Sequence, residues 1–334
     1  MRLLLCADWT DWEQSGFERA ISGLGVSVDV KRQHWIPRRR AARYLSSALE
    51  ALRTLLAMPG HDAAVAWQQV VGVALAAVAP GFLLRRCPVT VAGFIGTQAG
   101  PLPIRVLRDM ATRRALRRAA AVVCYSTHEA ARLRALFPSA ADKIHSLALG
   151  FDIPRPRGPN SPVCPSYAMS AGMSNRDYAT LFSAASKFEG ELLVYAPKTA
   201  LNGRDDYPSN VTIASDFTWK RFFEDMAMAR VVLVTIDDPD KTAGQLVAVQ
   251  AMHLGRPIVA TRCAGLDDYL HDGHTAILVP PHDANALADA VHSLYTDDLL
   301  SRRLGAAAAR DAQLRLTASV FWERMLEIAS GTRR

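Results

Sequence analysis

VVLVTIDDPDKTAGQLVAVQAMHLGRPIVAT, residues 231–261, reads as strand, polar loop, helix, tight turn and strand, and the rest of the chain is organised around it. The apolar run Val231 to Val234 stops at a loop holding Asp237, Asp238 and Pro239, as expected of a parallel strand buried on both faces. Leu246, Val249 and Met252 recur at i, i+3 spacing, which predicts a helix with these residues on its inner face and Thr242 capping its start. Gly255 stands where a left-handed residue ends a helix, just before Pro257, and Ile258 to Ala260 opens a new strand. Parallel strands need a crossover, so the stretch is a βαβ unit. Its loop Lys241-Thr242-Ala243-Gly244-Gln245 falls at the carboxyl end of a strand and the amino end of a helix, where open α/β sheets bind anions.

These residues resemble the carboxyl-terminal domain of the family 4 glycosyltransferases, in which an E-x7-E pattern enters a helix and is followed by A-M-x-x-G-x-P-V-V-A-T. Gln250-Ala251-Met252 and then Gly255 to Thr261 match the second half. Thr242 and Gln250 stand where the two glutamates would be, and Gly244-Gln245 resembles a G-Q variant of the loop. The resemblance implies the GT-B fold: two Rossmann-like, doubly wound parallel-sheet α/β domains facing across a cleft, with the last helix crossing back to the first domain. The plain alternative is a buried βαβ unit without a ligand.

At 334 residues the chain suits two domains. Five cysteines, Cys6, Cys87, Cys124, Cys164 and Cys263, lack CxxC spacing and read as reduced residues of a cytoplasmic protein with no zinc site. The start, MRLLLCADW, is too short in apolar residues for a signal peptide and reads as a first strand. The run Val65 to Leu84 is broken by Gln68, Gln69, Gly72 and Pro80, so it reads as strand and buried helix rather than a membrane span.

Charge divides unevenly. Residues 1–150 hold 20 Lys and Arg against 10 Asp and Glu, a net of +10, and the remainder holds 19 against 22, a net of −3. Trp35, Arg38, Arg39 and Arg40 form a basic, aromatic-flanked segment that suits an anionic membrane surface. A merely solvated basic face is the alternative. Zinc-finger spacing, RNP-like aromatics and glycine-rich RNA clamps are missing, so no nucleic-acid partner is expected.

In the first domain, residues 1–152, apolar runs at Leu3 to Ala7, Val26 to Val30, Ala63 to Ala66, Val89 to Ala92 and Ala121 to Cys124 predict five strands, with a helix over Ala41 to Met58. Gly16, followed by Glu18 and Arg19, matches the end of the family's glycine-rich turn. The resemblance places the acceptor near Gly16 and Phe94, although Gly93-Phe94-Ile95-Gly96 lacks the family's histidine, and His128, after the last strand of this domain, is a further acceptor-side candidate with a plain surface histidine at a helix amino end as the alternative. Residues 153–165, with five prolines, predict a rigid linker.

In the second domain, residues 166–315, strands are expected at Tyr167 to Ser170, Leu192 to Tyr195 and Val211 to Ala214, and a helix at Trp219 to Met228. Gly172 matches a family glycine, and Arg176 falls in the region of a basic residue that binds the donor diphosphate. An arginine at a helix amino terminus is disfavoured by the macrodipole unless it meets an anion. Lys198, beyond the next strand, is a further phosphate candidate. Gly273-His274-Thr275-Ala276-Ile277-Leu278-Val279-Pro280-Pro281 is similar to the family's D-G-x-T-G-x-L-V-P-P turn, and three helices follow, the last, within 316–334, carrying Phe321-Trp322-Glu323-Arg324.

The resemblance implies a transferase that takes a nucleoside diphosphate sugar as donor, without a cofactor or metal, and passes its sugar to a glycan or lipid-linked acceptor. Its donor site would comprise Gly172, Arg176, Lys198, Lys241, Thr242, Ala243, Gly244, Gln245, Leu246 and Gln250. A silent GT-B subunit that binds nucleotide or glycan, and a nucleotide-sugar epimerase, remain alternatives. A nicotinamide oxidoreductase is disfavoured because no G-x-G-x-x-G follows the first strand.

Overall fold

A computed structural model of the chain describes residues 1–7, 16–32, 40–67, 69–94, 102–154, 167–201 and 206–331. The chain divides into two compact units, Met1–Phe151 with Ala318–Arg334, and Asp152–Thr317. Each unit is built on one six-stranded sheet, and every strand pairing is parallel.

The first sheet contains β1 (Arg2–Ala7), β2 (Ser27–Arg32), β3 (Ala63–Ala66), β4 (Val89–Ala92), β5 (Ala121–Cys124) and β6 (Ile144–Ser146), in the order β2-β1-β3-β4-β5-β6. Its central strands are buried along their whole length, as sheets covered on both faces require. Helices α1 (Phe17–Gly23), α2 (Arg40–Ala57), α3 (Gln69–Val78), α4 (Gly81–Arg86), α5 (Leu102–Arg118) and α6 (Thr127–Leu136) connect the strands. Because the chain steps one way from β1 to β2 and the other way thereafter, right-handed crossovers put α1 on one face and α2, α3 and α5 on the other. Pro80 separates α3 from α4, and among the described residues no helix is long and apolar enough to cross a membrane.

The second sheet contains β7 (Tyr167–Ala171), β8 (Glu191–Tyr195), β9 (Val211–Ala214), β10 (Val231–Val234), β11 (Ile258–Thr261) and β12 (Ile277–Val279), in the order β12-β11-β10-β7-β8-β9. Helices α7 (Tyr178–Ala185), α8 (Trp219–Met228), α9 (Gln245–His253), α10 (Ala284–Thr296) and α11 (Asp298–Arg315) accompany it. Leu181, Leu192, Leu233, Leu287 and Val291 meet in the core beneath α7 and α10.

The last helix, α12 (Ala318–Ser330), packs on α1 and β3 of the first unit. Phe321 and Trp322, 1% and 0% exposed, lie in an aromatic cluster with Phe17, Trp67 and Tyr125.

Two strands escape the sequence reading. β6 and β12 have three residues each and pair on one side with a longer neighbour, so their apolar runs are too short to register as a period. The linker expected at 153–165 lies almost wholly outside the described residues.

Candidate functional site

Open α/β sheets bind ligands beyond the carboxyl ends of the strands, at the point where the strand order reverses. In the second unit that point lies between β7 and β10. The segments leaving these two strands are tied together. Arg176 and Ile236 form an antiparallel bridge, and the Asp237 amide donates to the Asn175 carbonyl at 3.2 Å. Asn175 and Asp238 exchange two further hydrogen bonds, the Asp238 amide to Asn175 Oδ1 and Asn175 Nδ2 to the Asp238 carbonyl, each 2.9 Å. Asn175 has φ 55, a conformation its short polar side chain tolerates better than most. Thr261 Oγ1, from β11, accepts from the Ile236 amide at 3.0 Å.

Arg176 is held on this frame. Its Nε donates to the Ala171 carbonyl and its Nη1 to the Ser174 carbonyl, both at 2.9 Å. Gly172 has φ 133, and a Cβ there would stand 2.5 Å from the Arg176 guanidinium, so glycine is what lets the planar group lie against the strand end. Burial lowers the Arg176 pKa from its ordinary value, but the group remains cationic at neutral pH. Among the described residues it forms no ion pair. The expectation that Arg176 sits on a helix amino terminus is corrected: α7 begins at Tyr178, capped by Asp177 through a 2.9 Å bond from the Thr180 amide. Its carbonyl partners, rather than a helix end, offset the cost of holding the cation there.

α9 starts beside the same frame. Gly244 is its N-cap at φ 90, with no side-chain cap. A Cβ on Gly244 would meet Val234 at 2.8 Å and Ile236 at 3.2 Å, so the helix start and Arg176 share Ile236 as a neighbour. Thr242 therefore does not cap the helix, contrary to the sequence reading, because the left-handed glycine turns the chain two residues later. The helix is also not one-sided: Val247, Ala248, Val249, Ala251 and Met252 are buried, whereas Leu246 is half-buried. Ala243 and Gln245 are buried. Gln250 is 3% exposed, and its Oε1 has no hydrogen-bond partner among the described residues.

The remaining donor-side candidates are more peripheral. Lys241 is exposed and already paired with Asp238 at 2.7 Å. Lys198 is exposed and begins a short 3-10 helix, Lys198–Leu201, rather than an open loop. A cluster unread in the sequence also appears here: Asp177, Asp237 and His282 bring three potential metal-ligand atoms within 4.8 Å. His282 Nδ1 and Asp177 Oδ2 are hydrogen-bonded to each other at 2.8 Å, which engages one ligand atom on each. Residues so far apart in sequence gave no spacing signal. The four cysteines described, Cys6, Cys87, Cys124 and Cys263, are buried and not joined in disulfides, and the Thr54 hydroxyl donates to Cys6 Sγ. Burial pushes Cys263 up to about 11 and Cys124 to about 12.

In the first unit Gly16 is the N-cap of α1 with φ 76, and His128 is exposed in the first turn of α6. Phe94, expected on the acceptor side, is corrected to a core residue. It is 2% exposed and packed in the apolar cluster under α2 and α3, where its ring gains more from burial than from a place at the surface. Trp35, Arg38 and Arg39 lie outside the described residues, as does the side chain of Arg40, the first residue of α2.

A sequence profile for glycosyl transferases group 1 matches residues 195–297, which take in β10, α9 and β11 but not Gly172 to Asp177. The D-inositol 3-phosphate glycosyltransferase of Paenarthrobacter aurescens (strain TC1) is 31% identical over 242 residues, 60% of this chain and 59% of that protein. The chain thus spans less than two thirds of the length of that curated relative. Among solved structures, Anabaena Alr3699/HepE in complex with UDP superposes with a TM-score of 0.71 at 17% identity, covering 99% of this chain and 100% of that one. Sucrose-phosphate synthase from Thermosynechococcus elongatus gives 0.74 at 18% identity, with 99% and 98% covered.

Proposed function

We infer that this chain, similar in sequence to group 1 glycosyltransferases and in fold to solved GT-B proteins, is an enzyme that moves a sugar from a nucleoside diphosphate sugar to a glycan or lipid-linked acceptor in bacterial polysaccharide or glycoconjugate synthesis. The observation that carries this reading is Arg176, a cation fixed by two carbonyls with no carboxylate partner among the described residues, beside the uncapped start of α9. A diphosphate fits that pair, since both the guanidinium and the helix start favour negative charge. UDP is the first nucleotide to try, because Anabaena Alr3699/HepE has been solved with UDP and with UDP-glucose.

As the glycosidic bond of the donor breaks, charge accumulates on the departing diphosphate. Arg176 and the first amides of α9 stabilise that charge, with the more peripheral Lys198 and Lys241 as lesser contributors. The unmatched Gln250 Oε1 takes a hydroxyl of the ribose, and Gln245 a sugar or phosphate oxygen. The charge is met by protein groups, so turnover is expected to survive EDTA. Abolition by EDTA and rescue by Mg²⁺ or Mn²⁺ would move the chemistry to a metal-assisted class, with Asp177, Asp237 and His282 the first residues to change. The acceptor is assigned to the first unit, near Gly16 and His128, working at the cytoplasmic face of an anionic membrane.

Calorimetry with UDP, GDP, ADP and dTDP sugars, followed by product analysis with the tightest binder, tests the reading. A ligand at one hundred times its Kd should stabilise the fold by about 2.7 kcal/mol. The uncharged Thr242 and Gln250 favour a second reading, a silent subunit that binds nucleotide without turning it over. Nucleotide binding without product from any acceptor would support that alternative, and no binding would reject both.

A further inference from the structure

We propose that the outer face of the α2–α3–α5 layer is a docking surface for an anionic lipid bilayer, which deepens the membrane part of the reading above and rests on it for its biological purpose. The starting observation is the mixed burial of α2. Ser46, Ser47, Glu50 and Thr54 are 6% exposed or less, on a buried side shared with Ala51. Outward the helix turns Leu49, Leu52 and Leu56, which are 47%, 52% and 74% exposed. A helix on a water-facing surface shows the opposite arrangement, with its leucines inward and its hydroxyls and carboxylates outward.

The pattern continues across the neighbouring helices. α2 packs on α3 and α3 on α5, and these carry Val78 at 65% and Met110 at 63% exposure, with Phe82 of α4 at 58%. Apolar surface spread over adjoining helices calls for an apolar partner.

Charge identifies which partner. Residues 40–118 hold 11 arginines, no lysine and 3 acids, a net of +8, leaving 28 basic against 29 acidic residues, a net of −1, for all the rest. The positive charge of the chain therefore resides in this segment. Arg85, Arg86, Arg113, Arg114 and Arg117 are exposed and Arg118 is half-buried; Arg114 donates to the carbonyl of Ala77, and Arg118 to those of Ala77 and Ala79, at the end of α3. A second copy docked face to face would set one +8 segment against another. An anionic bilayer complements the charge and accepts the leucines below its headgroups.

Co-flotation with vesicles of phosphatidylcholine, with and without phosphatidylglycerol, tests this on the whole chain. The wild type is expected to float with the anionic vesicles and not with pure phosphatidylcholine. Leu52→Asp/Leu56→Asp, at exposed positions that the fold tolerates, should weaken partition more than about tenfold. Arg85→Glu/Arg86→Glu should weaken it and reduce its sensitivity to salt. Circular dichroism and UDP calorimetry on each variant confirm that the fold and the donor site persist. A wild type that never floats, leucine variants that float unchanged, or a dimer in light scattering that the leucine variants dissolve would overturn the proposal. Flotation with no binding of any nucleotide would overturn the glycosyltransferase reading and leave the docking surface standing.

Discussion

The two units answer the same geometric problem with different chemistry. The first sheet runs β2-β1-β3-β4-β5-β6 and reverses between β1 and β3, and the second runs β12-β11-β10-β7-β8-β9 and reverses between β7 and β10. At the second reversal stand Arg176, the uncapped start of α9 and a lattice of backbone pairings between two loops. At the first, Trp67 follows β3, its amide bonded to the Cys6 carbonyl across the crevice at 2.8 Å, and its ring lies 5.0 Å from Phe17 and 5.4 Å from Phe321. One crevice is thus prepared for charge and the other is floored by aromatic rings. Sheet topology determines where a ligand can sit, and side chains determine which ligand that is.

The largest expected effect falls on the aromatic side. Trp322 is 0% exposed, so Trp322→Ala should cost about 4 kcal/mol of stability, read by denaturant unfolding, with UDP affinity little changed. Trp322→Phe sharpens the point, because the indole Nε1 has no hydrogen-bond partner among the described residues and its loss removes a buried unmatched donor. If UDP affinity collapses with Trp322→Ala, the two crevices are not separable.

Next comes Arg176→Ala, which should lower turnover about a hundredfold, some 2.7 kcal/mol, and weaken UDP binding by less, because the contact strengthens as the leaving group gains charge. Equal losses in binding and turnover would recast Arg176 as a ground-state contact only. Gln250→Ala should weaken UDP binding by about 1 kcal/mol, the worth of one neutral hydrogen bond. An unchanged affinity would place the ribose elsewhere.

The smallest effect concerns the turn that delivers β12. Asp272 pays a desolvation penalty that raises its pKa, but the hydrogen bond from the Leu278 amide and the Arg262 guanidinium outweigh it and hold the carboxyl below its ordinary value. A depressed folded pKa contributes stability that is complete above the ordinary carboxylate pKa of about 4 and lost as pH falls through the folded value. Asp272→Asn should therefore cost less than about 1 kcal/mol at neutral pH, because this half-exposed pair is screened by water. The difference from wild type should vanish in acid, where a persistent gap would assign the effect to packing instead.

Much of this was readable without coordinates. Short apolar runs bounded by polar loops located β3, β4, β5 and β10 at their observed limits, because a strand buried on both faces leaves no choice of residue type. The motif from Gln250 to Thr261 pointed to the fold, and Gly172 and Arg176 were singled out as neighbours in sequence. Thr242 as a cap and Phe94 as a ligand contact were misread, since a left-handed glycine and a core position both depend on what packs nearby.

Sequence by itself therefore determined the alternation of strand and helix, the two-sheet architecture and the concentration of positive charge in the first unit, all of which follow from local composition and period. Tertiary structure alone decided that Asn175 locks onto Asp238, that Asp177, Asp237 and His282 converge, that Gln250 Oε1 is left unmatched, and that α2 presents leucines outward. Each of those is a relation between segments distant in the chain or between a helix and the sheet beneath it. Such relations are set by crossover handedness and close packing rather than by neighbouring residues.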